Sequence, residues 1–275
     1  PNYHYEGILS AMKAAASHMP RVDAIGVSSA GVYIDNKVMV ASLFLKVPKE
    51  QFETKVKTIY TDIAKELGNI PIVVANDGDV TALAGAMNMN VGNVLGIAMG
   101  TSEAGGYVDE NMCIKGWLNE LAFAPVDASK EAMLDEWSLD IGCGVKYFSQ
   151  DAVIKLAPNA GIELDEKLTP AEKLKVVQEL MEKDHEGAKK IYESIGVYFG
   201  YAIAYYSLFL NVEHVLIMGR VTSGKGGQII LDKANEVLSK EFEDLYKKIK
   251  LHIPDENDRR VGQSVAAASL PEIIK

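Results

Sequence analysis

Short apolar, β-branched segments alternate with amphipathic ones along most of this chain, and that alternation restricts its fold more than any other feature. Residues 22–28, 72–75, 93–99 and 214–218 are mainly apolar, the composition of strands buried on both faces. Helical periodicity marks 5–18, 49–67, 77–89, 143–156, 169–182, 184–210, 227–246 and 260–270. Gly68-Asn69 followed by Pro71 is a stop signal for the second of these. Thr169-Pro170-Ala171-Glu172 is a capping box with Pro at the first helical position. A hairpin is predicted about Asp35-Asn36, further strands at 105–108, 112–115 and 249–253, and a loop-rich stretch at 116–139. Strands alternating with helices predict an α/β fold with a mainly parallel sheet covered on both sides. The order of elements roughly repeats, with a boundary at 88–92 and no low-complexity linker.

Composition narrows the function. With 28 Lys+Arg against 38 Asp+Glu the net charge is −10, which argues against nucleic-acid binding through a basic footprint. The densest basic cluster, Lys247-Lys248-Ile249-Lys250, follows an acidic helix and reads as a solvated face. Cys113 and Cys143 are too few for a disulfide scaffold and fit a reducing compartment, so a cytoplasmic location is expected. His4, His18, His185, His214 and His252 pair with no cysteine at zinc spacing, and no structural metal is expected. The apolar run 195–210 falls short of the roughly 20 residues of a membrane span. Its Gly196, Gly200 and Ala204 predict a buried helix packed closely through small residues, and no membrane partner.

Three segments carry chemistry. Val73-Val74-Ala75-Asn76-Asp77 places a carboxylate where open α/β sheets bind ligands, just beyond a strand's carboxyl end. Asp77 can take a proton from a substrate hydroxyl; equally, Asn76 or Asp77 can simply cap the helix that follows, the commoner role for such a residue. Gly100-Thr101-Ser102 and Gly105-Gly106 form a tight turn between strands, either an amide nest for phosphate or an ordinary hairpin. Gly219-Arg220-Val221-Thr222-Ser223-Gly224 joins a buried strand to a helix, where a nucleotide can meet a helix N-terminus or where nothing binds. Neither GxGxxG nor P-loop spacing is present.

In this order the three segments resemble the actin-like ATPase superfamily (ribonuclease H-like fold), and within it the repressor/open-reading-frame/kinase (ROK) family of sugar kinases and sugar-responsive repressors. The similarity runs over nearly the whole chain. Ile25-Gly26-Val27-Ser28-Ser29-Ala30-Gly31 is similar to the family's Gly-Val-Pro-Gly segment, so Ser29 and Gly31 are expected at the sugar. Asn76-Asp77 matches the pair in which the Asn contacts the sugar and the Asp is the base. Asn119-Glu120-Leu121-Ala122-Phe123-Ala124-Pro125-Val126 resembles the family's Gly-Glu-Ile-Gly-His-x-Pro-Val, whose Glu also contacts the sugar. Gly100, Thr101, Ser102 and Gly105 match the phosphate hairpin; Gly219, Thr222, Ser223 and Gly224 match the adenosine-side loop. The resemblance implies ATP and Mg²⁺ as cofactors and a small sugar or sugar-like substrate, with a homodimer admitted.

The departures are specific. Phe123 stands where the family has a His that contacts sugar and zinc, and of the zinc cysteines only Cys143 remains, so no zinc is expected. A second sugar-contacting Glu is replaced by Val145, and a Gly beside the nucleotide by Arg220. The family's opening Asp-Gly-Gly-Thr hairpin is not found before Tyr5. The resemblance therefore implies a first lobe at 1–90 without its opening strands, a second lobe at 91–259, and a C-terminal helix at 260–275 packing back on the first. These residues alone are expected to hydrolyse ATP weakly or not at all. Two activities follow from the resemblance: a sugar kinase with Asp77 as base, or a non-catalytic sugar sensor such as the effector part of a repressor. A third activity, another phosphotransferase or a phosphohydrolase of the superfamily acting on an acyl or polyphosphate group, fits the Asn76-Asp77 and Asn119-Glu120 segments less well.

Overall fold

The computed structural model describes residues 1–254 and 256–272; of 256–261 it describes the backbone only. The last three residues of the C-terminal unit expected at 260–275 lie outside the described residues. The elements are α1 (Asn2–Ala16), β1 (Ile25–Ser29), β2 (Val32–Ile34), β3 (Lys37–Val40), α2 (Lys49–Gln51), α3 (Ile59–Glu66), β4 (Ile72–Asn76) and α4 (Asp77–Met89). There follow β5 (Val94–Met99), β6 (Glu103–Val108), α5 (Gln150–Leu156), α6 (Pro170–Glu182), α7 (Glu186–Tyr206), β7 (His214–Met218), α8 (Lys225–Glu241), α9 (Glu243–Lys248), β8 (Lys250–His252) and α10 (Glu256–Ser269). The α/β class predicted from the alternation is the class observed.

β1 and β4 pair in parallel from Ile25–Ile72 to Ser29–Asn76, which puts Ser29 beside Asn76. β2 and β3 form the predicted hairpin. Asp35 and Asn36 both have positive φ, 49° and 61°, as a type I′ turn requires. Asn36 Oδ1 accepts from Val74 N at 2.8 Å and so ties the turn to β4. The larger sheet runs β6-β5-β7-β8, antiparallel at β5–β6 and parallel elsewhere.

Both faces of the larger sheet are covered. One core unites Leu95, Ile97, Met99, Val215 and Ile217 with the apolar sides of α5, α6, α7 and α8. Gly196 and Gly200 let α7 press on α8: a Cβ at either would run into Ile230, Ala234 or Val237. The run 195–210 is thus a packed core helix, and no helix among the described residues is long and apolar enough to cross a membrane. α4 and α10 cover the opposite face, with Val80, Leu83 and Ala86 against Val94, Val108 and Leu216. α10 also lies directly on β1, where a Cβ on Gly26 would collide with the main chain of Ala267. A third core joins α1, α3 and the hairpin to β4 through Val38, Phe44, Val56, Ile59 and Ile63.

Several boundaries differ from the sequence pattern. The helix expected at 49–67 is broken by a π turn, Phe52–Val56, because the Lys57 carbonyl accepts from Val38 N of β3 (2.9 Å). The strand expected at 112–115 is one bridge, Val108–Ile114. Asp109 Oδ1 takes Asn111 N and Cys113 N at 2.9 and 2.8 Å and holds that stretch as a turn. The helix expected from 143 starts at Gln150, where Ser149 caps it. The one expected at 227–246 starts at Lys225 and breaks at Phe242, and the last begins at Glu256 rather than Arg260.

Candidate functional site

The junction of β4 and α4 resolves which residue caps the helix. Asn76 Oδ1 accepts from Gly78 N at 2.7 Å, and its Nδ2 donates to Gly31 O at 2.8 Å. Asn76 is therefore the cap, and it straps the 28–31 turn to the end of β4. Asp77 begins the helix, with Gly78 N 3.1 Å from its Oδ1. Ser29 joins the cluster: Tyr33 Oη donates to Ser29 Oγ (2.7 Å), and Tyr60 Oη lies 3.0 Å from it. Burial, aided by the neighbouring Tyr60 and then by the charge of Asp77, holds the Tyr33 phenol above its usual range. From α10, Gln263 Nε2 donates to Ser28 Oγ at 2.9 Å.

The facing wall comes from the 119–123 stretch. Asn119 Nδ2 donates to Asp79 Oδ1 at 2.8 Å, and Tyr107 N donates to the same oxygen at 3.2 Å. Asp79 is buried, which pushes its carboxyl up to about 6; the two donors oppose that, and Asp77 and Glu120 add to it. Burial and then the charge of Asp77 raise Glu120 as well. Three acids thus act on one another at the head of α4. Asp79 and Asn119 were not picked out as site residues from sequence. An acid in the first turn of a helix looks like a dipole partner, and only the contact across 40 positions reveals its second role.

Glycines seat α4 here. Gly78 lies on Gly105 and Gly106 of β6 so closely that a Cβ on Gly106 would overlap the main chain of Gly78. Gly106→Ala should lower stability by roughly 1–3 kcal/mol, as overpacking against backbone does, and shift Asp77 with the helix. A thermal melt checks the stability change; an unchanged melting temperature would show that the helix head yields freely.

Phe123 stacks on Trp137 (5.5 Å between centroids, 27° between planes), and Val145 is buried beside Ala122 and Cys143. The segment carrying Trp137 is held by ion pairs: Lys146 Nζ lies 2.5 Å from Glu136, 2.8 Å from Asp151 and 3.5 Å from Asp135. Among the described residues no group of three His, Cys, Asp or Glu side chains is placed to hold a metal ion. A cavity of about 370 Å³, lined by Trp117, Leu121, Tyr206 and Phe209, touches the site through Asn119.

Gly100, Thr101 and Ser102 turn β5 into β6, with Gly100 N donating to Ser102 O (3.0 Å) and Gln150 N to Gly100 O (2.9 Å). Gly105 lies in β6, under Asn119 and Leu121. The 219–224 loop rests on the end of β5: Gly219 has φ 103°, and a Cβ there would strike the Met99 main chain. Thr222 is buried and bonds back to Gly219 O (3.0 Å); Ser223 N reaches Arg220 O (3.3 Å). Gly224, at φ 69°, precedes α8. The loop meets the hairpin through Arg220 Nη2, which donates to Thr101 Oγ1 at 2.6 Å.

No protein-family model matches the sequence, and no curated protein is similar to it at a significant level. Solved structures are similar. A ROK family transcriptional regulator, a homologue of the E. coli MLC protein, superposes with a TM-score of 0.76 at 16% identity, over 97% of this chain and 67% of that one. The chain has the ROK fold. The ROK hexokinase of Thermus thermophilus gives a TM-score of 0.73 at 16% identity, over 98% of this chain and 85% of its own. The ROK glucokinase of Streptomyces griseus, solved with glucose and AMPPNP, gives 0.63 at 19%, over 96% and 87%. In this ROK fold the strand-end pair Asn76-Asp77, the 100–102 hairpin and the 219–224 loop occupy adjoining elements.

Proposed function

We propose that this chain is a ROK-type carbohydrate kinase that moves the γ-phosphoryl group of ATP to a sugar hydroxyl. The observation that carries the proposal is Asp77. It stands at a strand end beside Glu120 and Asp79, on a helix that rests on the hairpin strand, while Asn76 takes over the capping. In the reaction Asp77 accepts the proton of the attacking hydroxyl. Glu120 accepts hydrogen bonds from neighbouring sugar hydroxyls, Asn76, Ser29 and Gly31 line the same pocket, and Asp79 holds Asn119 in place. The Gly100-Thr101-Ser102 turn would receive the phosphoryl group on its amides and hydroxyls. Bound with the nucleotide, Mg²⁺ would supply charge that offsets the phosphoryl group; Gly219, Ser223 and Gly224 would face the nucleoside, while Thr222, expected there from the resemblance, is buried and bonded to Gly219 O and would brace the loop instead. Residues 1–90 and 91–259 act as two lobes that close over the substrate and exclude water, in the cytoplasm. The test is coupled ADP release by the full-length protein, rather than by these residues alone, over a panel of hexoses and N-acylhexosamines. Sugar-dependent turnover with at least one is expected, and none with any sugar overturns the proposal.

A second reading, a sugar sensor without turnover, is favoured by Val145 and the Phe123–Trp137 stack, which put apolar groups where the resemblance implies polar ones. Saturable sugar binding without ADP release would select it.

A further inference from the structure

A strand–loop–helix connection offers an anion two footholds, the first amides of the helix and the side chains of the loop. In this chain the first is taken. Lys225 N donates to Glu182 Oε1 at 3.1 Å, and Lys225 Nζ binds Glu182 O (3.1 Å) and Asp184 Oδ1 (2.7 Å). The carboxylate of Glu182 therefore sits at the positive end of α8, and a phosphate arriving there meets like charge. A Cβ on Gly224 would also collide with Glu182.

The second foothold is open. Arg220 is exposed, and among the described residues no carboxylate is paired with it, although acids outnumber bases by ten in the sequence. The other arginine with a described side chain, Arg21, is paired with Asp23 at 2.8 Å. Arg220 is nevertheless held in place. Gln178 Nε2 donates to its carbonyl at 2.6 Å, and its Nη2 reaches across to Thr101 Oγ1 at 2.6 Å. A guanidinium has five N–H donors in a planar fork that matches phosphate, and among the described residues only the one to Thr101 is used. The Thr101 hydroxyl, which accepts from Arg220, keeps its own hydrogen to donate.

We propose that Arg220 and Thr101 together anchor the polyphosphate of a nucleoside triphosphate, bridging loop and hairpin in place of the start of α8. This rests on the phosphotransferase reading above. It adds to it a specific cation at a position the resemblance does not assign to phosphate binding. Arg220 would neutralise charge on the bound phosphates, and the neutral Thr101 would fix their position along the hairpin.

Isothermal titration of the full-length protein with inorganic tripolyphosphate, and separately with Mg-ATP, tests this at low salt. Arg220→Gln should weaken both by roughly 10- to 100-fold, the worth of a charged hydrogen-bonded pair. Arg220→Lys should recover part of the loss, because the charge remains but the fork does not. Glu182→Gln, at the other foothold, should change either affinity by less than about threefold. A matched thermal melt keeps a folding defect from posing as lost binding. Unchanged or tighter binding by Arg220→Gln overturns the proposal and makes Arg220 a cover over the hairpin, while sugar-dependent turnover in the wild type leaves the kinase reading standing. Wild-type protein that binds neither anion overturns both.

Discussion

Replacing Asp77 with Asn should lower sugar-dependent ADP release by the full-length protein by about 10²- to 10⁴-fold, the usual worth of a positioned general base, while the sugar KM changes by less than about threefold. The split follows from the division of labour at the head of α4. Asn76 Oδ1 makes the cap to Gly78 N, and Asn76 Nδ2 straps the turn at Gly31, so the fold does not depend on the charge of Asp77. The amide is nearly isosteric with the carboxylate and keeps an oxygen for Gly78 N, which lies 3.1 Å away. What disappears is the capacity to accept the substrate proton. Removing the charge also removes one of the influences that raise Glu120 and Asp79, so both should titrate lower in the variant. Asn76→Ala supplies the contrast. It should cost about 1 kcal/mol through the lost cap and disturb sugar affinity. Equal rates for wild type and Asp77→Asn would remove Asp77 from the chemistry.

The parts of this site that were legible in the sequence depend on local pattern. β7 and α4 begin and end where apolar runs and turn residues put them. The Asp35-Asn36 turn and the Thr169–Glu172 capping box follow from rules spanning two to four residues. Partnerships between distant segments were not legible. Periodicity marks the face a residue occupies but not what meets it there. The bond from Asn119 to Asp79, the carboxylate of Glu182 over α8 and the ion pairs of Lys146 all join separate elements. The broken helix at 49–67 has the same origin. Its own pattern is continuous, but a carbonyl within it is claimed by β3. Glu103 is the sharpest case, since an acid directly after a turn reads as solvated until the packing of β6 is known.

That residue sets the largest stability effect expected in this molecule. Glu103 begins β6, immediately after the hairpin turn, with both carboxylate oxygens buried and, among the described residues, without a hydrogen-bond partner. One of them lies against Gly144, where a side chain would collide with it. Burial pushes its carboxyl up to about 8 from an ordinary 4.5, so the folded chain keeps a proton that the unfolded chain releases. The stability this represents is fully present below about 4.5 and is lost as pH rises towards 8. A shift of that size corresponds to at most about 5 kcal/mol, and a realistic share is a few. Other groups act in adjoining windows. Asp79, raised to about 6, contributes a slope of the same sign that is complete near pH 6. His214 and His252, bonded to each other at 3.0 Å and both lowered mainly by burial, contribute one of opposite sign as pH falls. Tyr206, whose buried hydroxyl is raised by burial and by the nearby Glu103, stays protonated throughout. The interval from about pH 7 to 8, above the ordinary histidine value of 6.5, therefore isolates Glu103 among these groups. Over it the wild-type melting temperature should fall by several degrees, at about 2–4 °C per kcal/mol for a chain of this size. Glu103→Gln keeps the shape against Gly144 but cannot ionise. Its melting temperature should stay nearly level over the same interval and exceed that of the wild type at pH 8. Parallel curves for the two proteins would mean that the carboxyl under the hairpin is solvated in the folded chain, and that the hairpin carries a negative charge beneath the site assigned to phosphate.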